Sequence, residues 1–278
     1  MTFLERMAHT SRERVRAARA AESEAALERR ALSVPLPPPL VLDRFDVIAE
    51  LKLRSPAAGG LAGGDFDRSA QLASYARGGA AAVSVLTEPT EFKGELKHLV
   101  DAAAQLRASE RPAMRKDFLT DPYQVLEARA AGAGGVLVIV TMLDDATVRA
   151  LIDCAARCSL FVLLEAFDRT DLERLAAFDR ANDGGAPLLA GVNCRDLHDL
   201  DVRFERFVEL APHLPRHLPT VAESGIGTNA DVRTVAAAGY RLALVGSSLM
   251  RATEPAKALA DLIAAGRAAT QGKHKSCS

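Results

Sequence analysis

The stretch Val47-Ile-Ala-Glu-Leu-Lys-Leu-Arg54 is an apolar run that carries one carboxylate and one amine. Because side chains alternate across a β-strand, Glu50 and Lys52 share one face with Ile48, and the remaining apolar residues share the other face. The wholly apolar face must pack against other elements, so Glu50 and Lys52 point into an interior. They form either a buried structural ion pair or part of a site.

Similar apolar runs recur along the chain, and helical segments separate them. Two of these segments start at a capping residue, Asp67 or Asp121, and end at Gly78 or Gly132. The apolar runs begin at Val47, Ala82, Pro112, Gly135, Leu160, Leu188, Pro219 and Leu242. Eight strand–helix units in about 220 residues match a (β/α)8 TIM barrel, whereas a doubly wound sheet more often stops at about five or six strands. We therefore predict an α/β fold with one barrel domain.

The chain before the first strand has a different character. It is charged, rich in Ala and helical to about residue 32, and the Pro-rich stretch 33–40 cannot continue a helix. We predict an N-terminal helical extension over residues 1–40 that packs on the barrel. The barrel itself is predicted over residues 41–266, followed by a disordered tail over residues 267–278.

Composition narrows the class of protein. The chain has 278 residues, 49% of them hydrophobic, and a formal net charge of -1, which is the balance of a globular protein with a sizeable core. It has no basic run typical of nucleic-acid binding and no apolar stretch typical of a membrane span, and the Glu residues interleaved with the N-terminal Arg residues lead us to expect no signal peptide. Its four cysteines, Cys154, Cys158, Cys194 and Cys277, lack metal-site spacing. We predict a cytoplasmic protein with reduced thiols, either a monomer or a homodimer.

Polar residues also close other predicted strands. Lys116 ends the third run, Glu165 the fifth, Asn193 the sixth and Glu223 the seventh. Barrel enzymes place their catalytic groups at these carboxyl ends. Burying unpaired charges costs several kcal/mol each, so three carboxylates and two amines at one end of a barrel predict an active site.

Two glycine-containing segments follow the last two strands, Glu223-Ser-Gly-Ile-Gly227 and Val245-Gly-Ser-Ser-Leu-Met250. A turn would explain either one without a ligand. At these two strand ends, however, glycines let backbone N–H groups approach an anion, and this is where the barrel usually holds phosphate. Together they predict a phosphorylated substrate, with Lys52 as a cationic counterpart.

Six segments, in order along the chain, resemble the indole-3-glycerol-phosphate synthase family. They are Ile48–Lys52 with Ser55-Pro56, Ser84–Thr87, Arg115–Gln124, Gly191–Leu197, Ala222–Ile226 and Val245–Arg251. The resemblance implies a reaction without metal or organic cofactor. In it, 1-(2-carboxyphenylamino)-1-deoxyribulose 5-phosphate becomes indole-3-glycerol phosphate and loses carbon dioxide and water. This reaction belongs to tryptophan biosynthesis, so the resemblance leaves open a contact with other enzymes of that pathway.

The resemblance also implies roles for individual residues. Lys116 looks like the general acid and Glu165 like the acid/base group for dehydration, while Glu50 and Glu223 orient lysines and substrate. Asn193 resembles the residue that bonds the substrate near the reacting centre. Arg195 lies beside Asn193, and Ser224 also binds the substrate. The implied contacts to the phosphate or the carboxylate end are Lys52, Ser55, Gly225, Gly246 and Ser247, and those to the aromatic ring are Phe92 and Phe118.

Some positions depart from the family pattern. Ala57-Ala58 replaces polar residues in the first loop, Ala166-Phe167 follows Glu165, and Cys194 replaces a common Asn. These changes leave room for a paralogue that acts on a substituted analogue in a secondary pathway. Two other readings stay open, a sugar-phosphate isomerase and a catalytically silent scaffold subunit. The cost of grouping so many charges speaks against the scaffold.

Overall fold

A computed structural model describes residues 1–55, 59–60, 66–182, 184–196 and 201–275. Eight parallel strands close into one barrel in the spatial order β1-β8-β7-β6-β5-β4-β3-β2. The strands are β1 (Asp46–Leu51), β2 (Ala82–Leu86), β3 (Ala113–Lys116), β4 (Gly135–Ile139), β5 (Phe161–Ala166), β6 (Leu188–Asn193), β7 (Thr220–Glu223) and β8 (Leu242–Val245). Every predicted run forms one of these strands, and the predicted TIM barrel is confirmed.

Helices precede the barrel and alternate with its strands. They are α1 (Phe3–Ala21), α2 (Glu24–Ser33), α3 (Arg68–Arg77), α4 (Leu96–Leu106), α5 (Pro122–Ala130), α6 (Asp145–Arg157), α7 (Arg169–Ala181), α8 (Arg206–Leu210), α9 (Asn229–Ala238), α10 (Ser247–Arg251) and α11 (Pro255–Lys275). Single 3-10 turns cover Arg107–Ser109, Val140–Met142 and Ala211–His213, and Arg54–Ser55 pairs with Gly59–Gly60 in a short antiparallel hairpin after β1. None of the helices described is long and apolar enough to cross a membrane.

The predicted capping residues explain where two of these helices begin. The Asp67 carboxylate accepts hydrogen bonds from the backbone N–H groups of Ser69 and Ala70, and the Asp121 carboxylate accepts one from Tyr123. Each carboxylate satisfies donors that have no partner inside the first helical turn. The chain then leaves α5 through Gly132, whose φ of 84° favours glycine.

Two apolar layers form the core, and β1 contributes to both. Val47, Ala49 and Leu51 belong to the layer between the strands and the surrounding helices. Ile48 belongs to a second cluster inside the barrel, with Met114, Leu137, Leu163 and other inward-facing residues. The predicted alternation of β1 is therefore confirmed, and it directs Glu50 to the interior.

The N-terminal helices lie against the barrel wall. Helix α2 packs on α5. The Tyr123 hydroxyl on α5 donates to the carbonyls of Ala18 and Glu22, at 3.1 Å and 2.9 Å, and Arg19 binds both oxygens of Asp121 at 2.9 Å. These contacts attach α1 to the connection between β3 and α5.

At the other end of the chain, α11 runs without a break past the predicted limit at residue 266 to Lys275. Arg267, one residue beyond that limit, donates to the Phe45 carbonyl at 3.0 Å and to the Asp46 carboxylate at 2.7 Å. A disordered tail that starts at 267 does not match this helix. The domain limits themselves stay predictions.

Candidate active site

A lysine and two carboxylates meet inside the carboxyl end of the barrel. The Lys116 ammonium at the end of β3 lies 2.8 Å from Glu223 Oε2 on β7 and 3.3 Å from Glu165 Oε2 on β5. The two carboxylates are 1% and 3% exposed. Three strands that are far apart in sequence thus supply one ion cluster, because the carboxyl ends of parallel strands converge.

Burial and charge change the protonation of this cluster. Burial lowers the pKa of Lys116, but the attraction of Glu223, Glu165 and Glu50 outweighs burial, so the pKa is raised overall. Lys116 therefore keeps its proton. For Glu223, burial raises the pKa to about 8, with repulsion from Glu165 adding to the effect and attraction to Lys116 opposing it. The cluster therefore holds a strongly protonated amine beside a carboxyl group that titrates close to neutral pH.

Glu223 is also incompletely bonded. Its Oε1 atom is buried and has no hydrogen-bond partner in the part of the chain that the structure describes. This oxygen lies over Gly191 on β6, where an added Cβ would come within 2.2 Å of it. Gly191 therefore leaves the space that lets Glu223 reach Lys116.

Glu50 and Lys52 form a second ion pair in the same cavity. Lys52 Nζ lies 2.5 Å from Glu50 Oε1, and Glu50 is 4% exposed. Burial would raise the pKa of Glu50, but Lys52 and Lys116 outweigh it and lower the pKa. Gly246 lies directly beside the pair, since a Cβ there would be 2.4 Å from Glu50 Oε1 and 3.0 Å from Lys52 Nζ. Only glycine lets the loop after β8 approach so closely.

Asn193 at the end of β6 orients Glu165. Its amide Nδ2 donates to Glu165 Oε1 at 3.2 Å, and its Oδ1 accepts from the backbone N–H of Arg195 at 2.9 Å. Because both ends of the amide are used, the amide orientation and the position of the Glu165 carboxylate are fixed together.

The loops after β7 and β8 border the cavity on one side. Ser224 and Gly225 both have left-handed backbones, with φ of 70° and 68°. A Cβ on Gly225 would lie 2.5 Å from Val202, so this position needs glycine for both conformation and space. After β8, Gly246 leads into the short helix α10. Both predicted glycine-containing segments therefore line the cavity.

An aromatic wall, Phe3, Phe92 and Phe118, forms another side. The Phe3 ring lies edge-on to Phe118 with 5.8 Å between centroids, and Phe92 lies tilted to Phe118 at 6.3 Å. These distances are typical of paired aromatic rings. The wall gives the cavity an apolar surface that suits a flat ring.

The cavity has a volume of about 380 Å³. Almost all the predicted site residues line it, namely Glu50, Lys52, Phe92, Lys116, Phe118, Glu165, Asn193, Arg195, Glu223, Ser224, Gly225, Gly246 and Ser247. Ser55 lies in the short hairpin after β1, but its side chain is outside the described part of the chain, and so are Ala57 and Ala58. The individual roles of these residues stay predictions.

The departures from the family pattern lie near the cavity rather than in the ion cluster. Ala166 is buried at the end of β5, and the Phe167 backbone N–H donates to Asp171 at 3.0 Å. The Cys194 thiol is buried and donates to the Ser224 carbonyl at 3.3 Å, while burial raises its pKa to about 12. Cys194 therefore stays a neutral thiol. Cys277 is not among the described residues.

Sequence reasoning missed several cavity residues. Phe3 and Leu4 come from α1, and no local signal places that helix at the barrel mouth. Leu137 and Ile139 on β4 could have been found, because they alternate with residues of the outer layer in the same way as Glu50 does on β1. Among the residues described, no group of three or more His, Cys, Asp or Glu side chains is arranged to hold a metal ion.

Comparison with solved structures supports the fold. The chain superposes on 3-hexulose-6-phosphate synthase from Salmonella typhimurium with a TM-score of 0.59 and 14% identity, over 83% of this chain and 100% of that one. It superposes on thiamine phosphate pyrophosphorylase from Pyrococcus furiosus with a TM-score of 0.56 and 16% identity, over 81% and 97%. Identities this low show a shared barrel only.

Comparison of sequences identifies the family. The chain is 42% identical to the indole-3-glycerol phosphate synthase of Parafrankia sp. over 88% of either chain, and 41% identical to that of Rhodococcus jostii over 83% of this chain and 80% of the relative. The family model described as indole-3-glycerol phosphate synthase matches residues 4–262. The chain therefore belongs to the indole-3-glycerol phosphate synthase family.

Proposed function

We propose that this protein converts 1-(2-carboxyphenylamino)-1-deoxyribulose 5-phosphate into indole-3-glycerol phosphate, with loss of carbon dioxide and water. The observation that carries the proposal is the position of Lys116. Its ammonium is held by Glu223 and Glu165 inside a cavity with an aromatic wall and two glycine-containing loops. A substrate with an aromatic ring at one end and a phosphate at the other matches that arrangement.

Lys116 acts as the general acid in ring closure. As the aromatic carbon attacks the ketone carbon, negative charge develops on the ketone oxygen, and a protonated amine stabilises that charge and donates a proton. The carboxylates around Lys116 raise its pKa and keep the amine charged before the substrate arrives. The anionic substrate then competes with Glu223 and Glu165 for the same ammonium.

Glu165 serves as the acid/base group in the later dehydration and rearomatisation. One of its oxygens faces Lys116 and the other accepts from Asn193, which holds the carboxylate in place. Asn193 also contacts the substrate near the reacting centre. Glu50 and Glu223 orient the lysines: Glu50 holds Lys52 and Glu223 holds Lys116.

The two anionic groups of the substrate bind at opposite sides of this cluster. Gly225, Gly246 and Ser247 present backbone to the phosphate, and Lys52 supplies a positive charge. Ser55, Arg195 and Ser224 contact the remaining polar groups. Phe92 and Phe118 pack on the aromatic ring.

The setting of the reaction also stays a proposal. We infer that the enzyme acts in tryptophan biosynthesis, in the cytoplasm, as a monomer or homodimer that needs no metal or organic cofactor. A contact with other enzymes of that pathway fits the same role. Two residues that depart from the family pattern lie near the cavity, Phe167 against the interior apolar cluster and Cys194 beside Gly225, and they leave the alternative that the true substrate carries a ring substituent.

One assay tests the proposal. Purified protein is mixed with the carboxyphenylamino-deoxyribulose phosphate, and indole fluorescence and carbon dioxide are followed together. The expected result is release of carbon dioxide matched by indole formation. Isomerisation of a related ribulose phosphate without carbon dioxide would instead identify a sugar-phosphate isomerase, and binding without any turnover would identify a scaffold.

A further inference from the structure

Asp117, the residue after Lys116, is the centre of a buried hydrogen-bond network. Its carboxylate is fully buried and accepts from Arg14 at 2.9 Å and 2.7 Å, one bond to each oxygen. It also accepts from the Thr87 hydroxyl at 2.7 Å, from Arg115 at 3.2 Å and from the Phe118 backbone N–H at 2.8 Å. Arg14 reaches this network from α1, outside the barrel sequence.

The bidentate ion pair, or fork, between Arg14 and Asp117 is strong, but one nitrogen of the arginine has no partner within the described ranges. Paired, charge-assisted bonds of this geometry are among the strongest side-chain contacts. Yet Arg14 Nε is buried and has no hydrogen-bond partner within the described ranges. Burying a donor without an acceptor is energetically unfavourable. A contact that served stability alone would gain more by satisfying that donor.

Helix α1 also holds the residue that follows Asp117. The Ser11 hydroxyl donates to the Phe118 carbonyl at 2.5 Å and accepts from the Gln124 amide at 2.9 Å. The Phe3 ring packs on the Phe118 ring. One helix therefore fixes the backbone of 117–118 immediately after the lysine that carries the proposed chemistry.

We propose that Arg14 is a positioning residue for catalysis. Through Asp117 it fixes the start of the β3–α5 connection, so that Lys116 and Phe118 face the substrate in one geometry. The inference rests on the proposed function, because it assigns Arg14 an effect on the step that Lys116 carries out. A displacement of about 1 Å at such a site can lower the rate about 100-fold.

The chain provides a matched control on the same helix. Arg19 forms a similar fork with Asp121, at 2.9 Å to each oxygen, but Asp121 caps α5 and lies further along the connection from Lys116. Arg14→Gln and Arg19→Gln therefore each remove a two-bond contact between α1 and the β3–α5 connection. The first contact is to a fully buried carboxylate and the second to one that is 24% exposed, and Arg19 also binds Glu24 at 2.7 Å. Only the first contact is adjacent to the proposed acid.

The experiment measures kcat, KM and thermal unfolding for the wild type, Arg14→Gln, Arg14→Lys and Arg19→Gln. Turnover by the wild type tests the proposed function first, so that its failure is separate from a failure of this inference. We expect kcat to fall about 10–100-fold in Arg14→Gln, less in Arg14→Lys, and less than about twofold in Arg19→Gln. Binding of inorganic phosphate should not change, since the glycine-containing loops lie on other strands.

Two outcomes would overturn the inference. The first is an equal loss of kcat in Arg14→Gln and Arg19→Gln, which would show that both ion pairs serve only to attach α1 to the barrel. The second is a lower unfolding temperature in Arg14→Gln with kcat unchanged. If Arg14→Gln does not fold, Arg14→Lys decides the question, because it keeps the charge and loses the fork.

Discussion

Strand β1 carries a buried carboxylate near each end, Asp46 at the amino end of the barrel and Glu50 at the carboxyl end. The two carboxylates have different kinds of partners. At the amino end, Asp46 accepts from Arg267 at 2.7 Å through one oxygen and from the Asp43 backbone N–H at 2.6 Å through the other. At the carboxyl end, Glu50 belongs to a group of three carboxylates that share two lysines. Within that group one oxygen, Glu223 Oε1, has no partner among the described residues.

This difference between the two ends indicates that the amino-end contacts serve folding stability and the carboxyl-end cluster serves the reaction. At the amino end both oxygens of Asp46 are bonded, and Arg267 also lies 3.4 Å from Asp43, so this group contributes to folding at little cost. The carboxyl-end cluster has three carboxyl groups for two lysines, an oxygen without a partner among the described residues, and a carboxyl group with its pKa raised to about 8. Such a cluster lowers the stability of the folded protein, and its function is to interact with a bound substrate. Substitutions at the amino end should therefore lower stability and leave kcat unchanged, whereas substitutions at the carboxyl end should lower the rate and leave the fold intact.

The largest effect is expected for Lys116→Ala. A general acid typically contributes about 10²–10⁴-fold to the rate, so kcat/KM for indole formation should fall by that factor. The fold should survive, because β3 is held by backbone pairing and Glu223 can take up a proton. Steady-state kinetics and thermal unfolding check both points. The exposed Lys97→Ala is the control, and wild-type turnover in Lys116→Ala would remove this residue from the acid role.

The next largest effect is expected at the amino end. Arg267→Ala leaves the Asp46 carboxylate, which is 6% exposed, without its cation. We expect a loss of about 2 kcal/mol in the free energy of unfolding, below the roughly 3–5 kcal/mol of a fully buried pair because Arg267 is itself partly exposed. Urea unfolding measures this loss, and kcat should not change. A loss of kcat without a loss of stability would contradict the separation of the two ends.

The residues in these two predictions also show which contacts can be predicted from sequence and which cannot. The alternation along β1 placed Glu50 inside the barrel, and the strand-end positions of Lys116, Glu165 and Glu223 marked one end of it. No local pattern indicates the Asp46–Arg267 pair, and Arg267 lies in the segment predicted as a disordered tail. Ion pairs between residues 221 positions apart depend on packing that local pattern does not describe.

A smaller effect concerns pH. The pKa of Glu223 is raised to about 8 in the folded protein, above the value of about 4.3 in an unfolded chain. Between these values the folded state binds the proton more tightly, so this contribution to stability is complete below about pH 4.3 and is lost as pH rises through about 8. Glu223→Gln should remove up to about 1.4 kcal/mol per pH unit of that dependence.

Urea unfolding of the wild type and Glu223→Gln between pH 5 and pH 8.5 measures the difference directly. The stability of the variant should change less over this range than that of the wild type. Equal slopes for the two proteins would show that Glu223 titrates in its ordinary range.

The smallest effect is expected for an exposed pair that belongs to neither end. Lys257 and Asp261 lie one turn apart on α11, with 2.6 Å between charged atoms and side chains 66% and 49% exposed. Lys257→Ala should lower the free energy of unfolding by much less than Arg267→Ala does, because solvent screens this exposed pair, and it should leave kcat unchanged. Thermal unfolding at low and high salt checks this. A loss near that of Arg267→Ala would mean that burial does not explain the comparison.

The sequence by itself determined the eight strands, their inward and outward faces, and the set of charged residues at one end of the barrel. These follow from the period of two in a strand and from the rule that parallel strands end together. Tertiary structure decided which charges pair: Lys116 with Glu223 rather than with Glu50, and Arg14 with Asp117. It also brought Phe3 of α1 into the cavity wall. Such contacts depend on packing between elements distant in the chain, which no local pattern encodes.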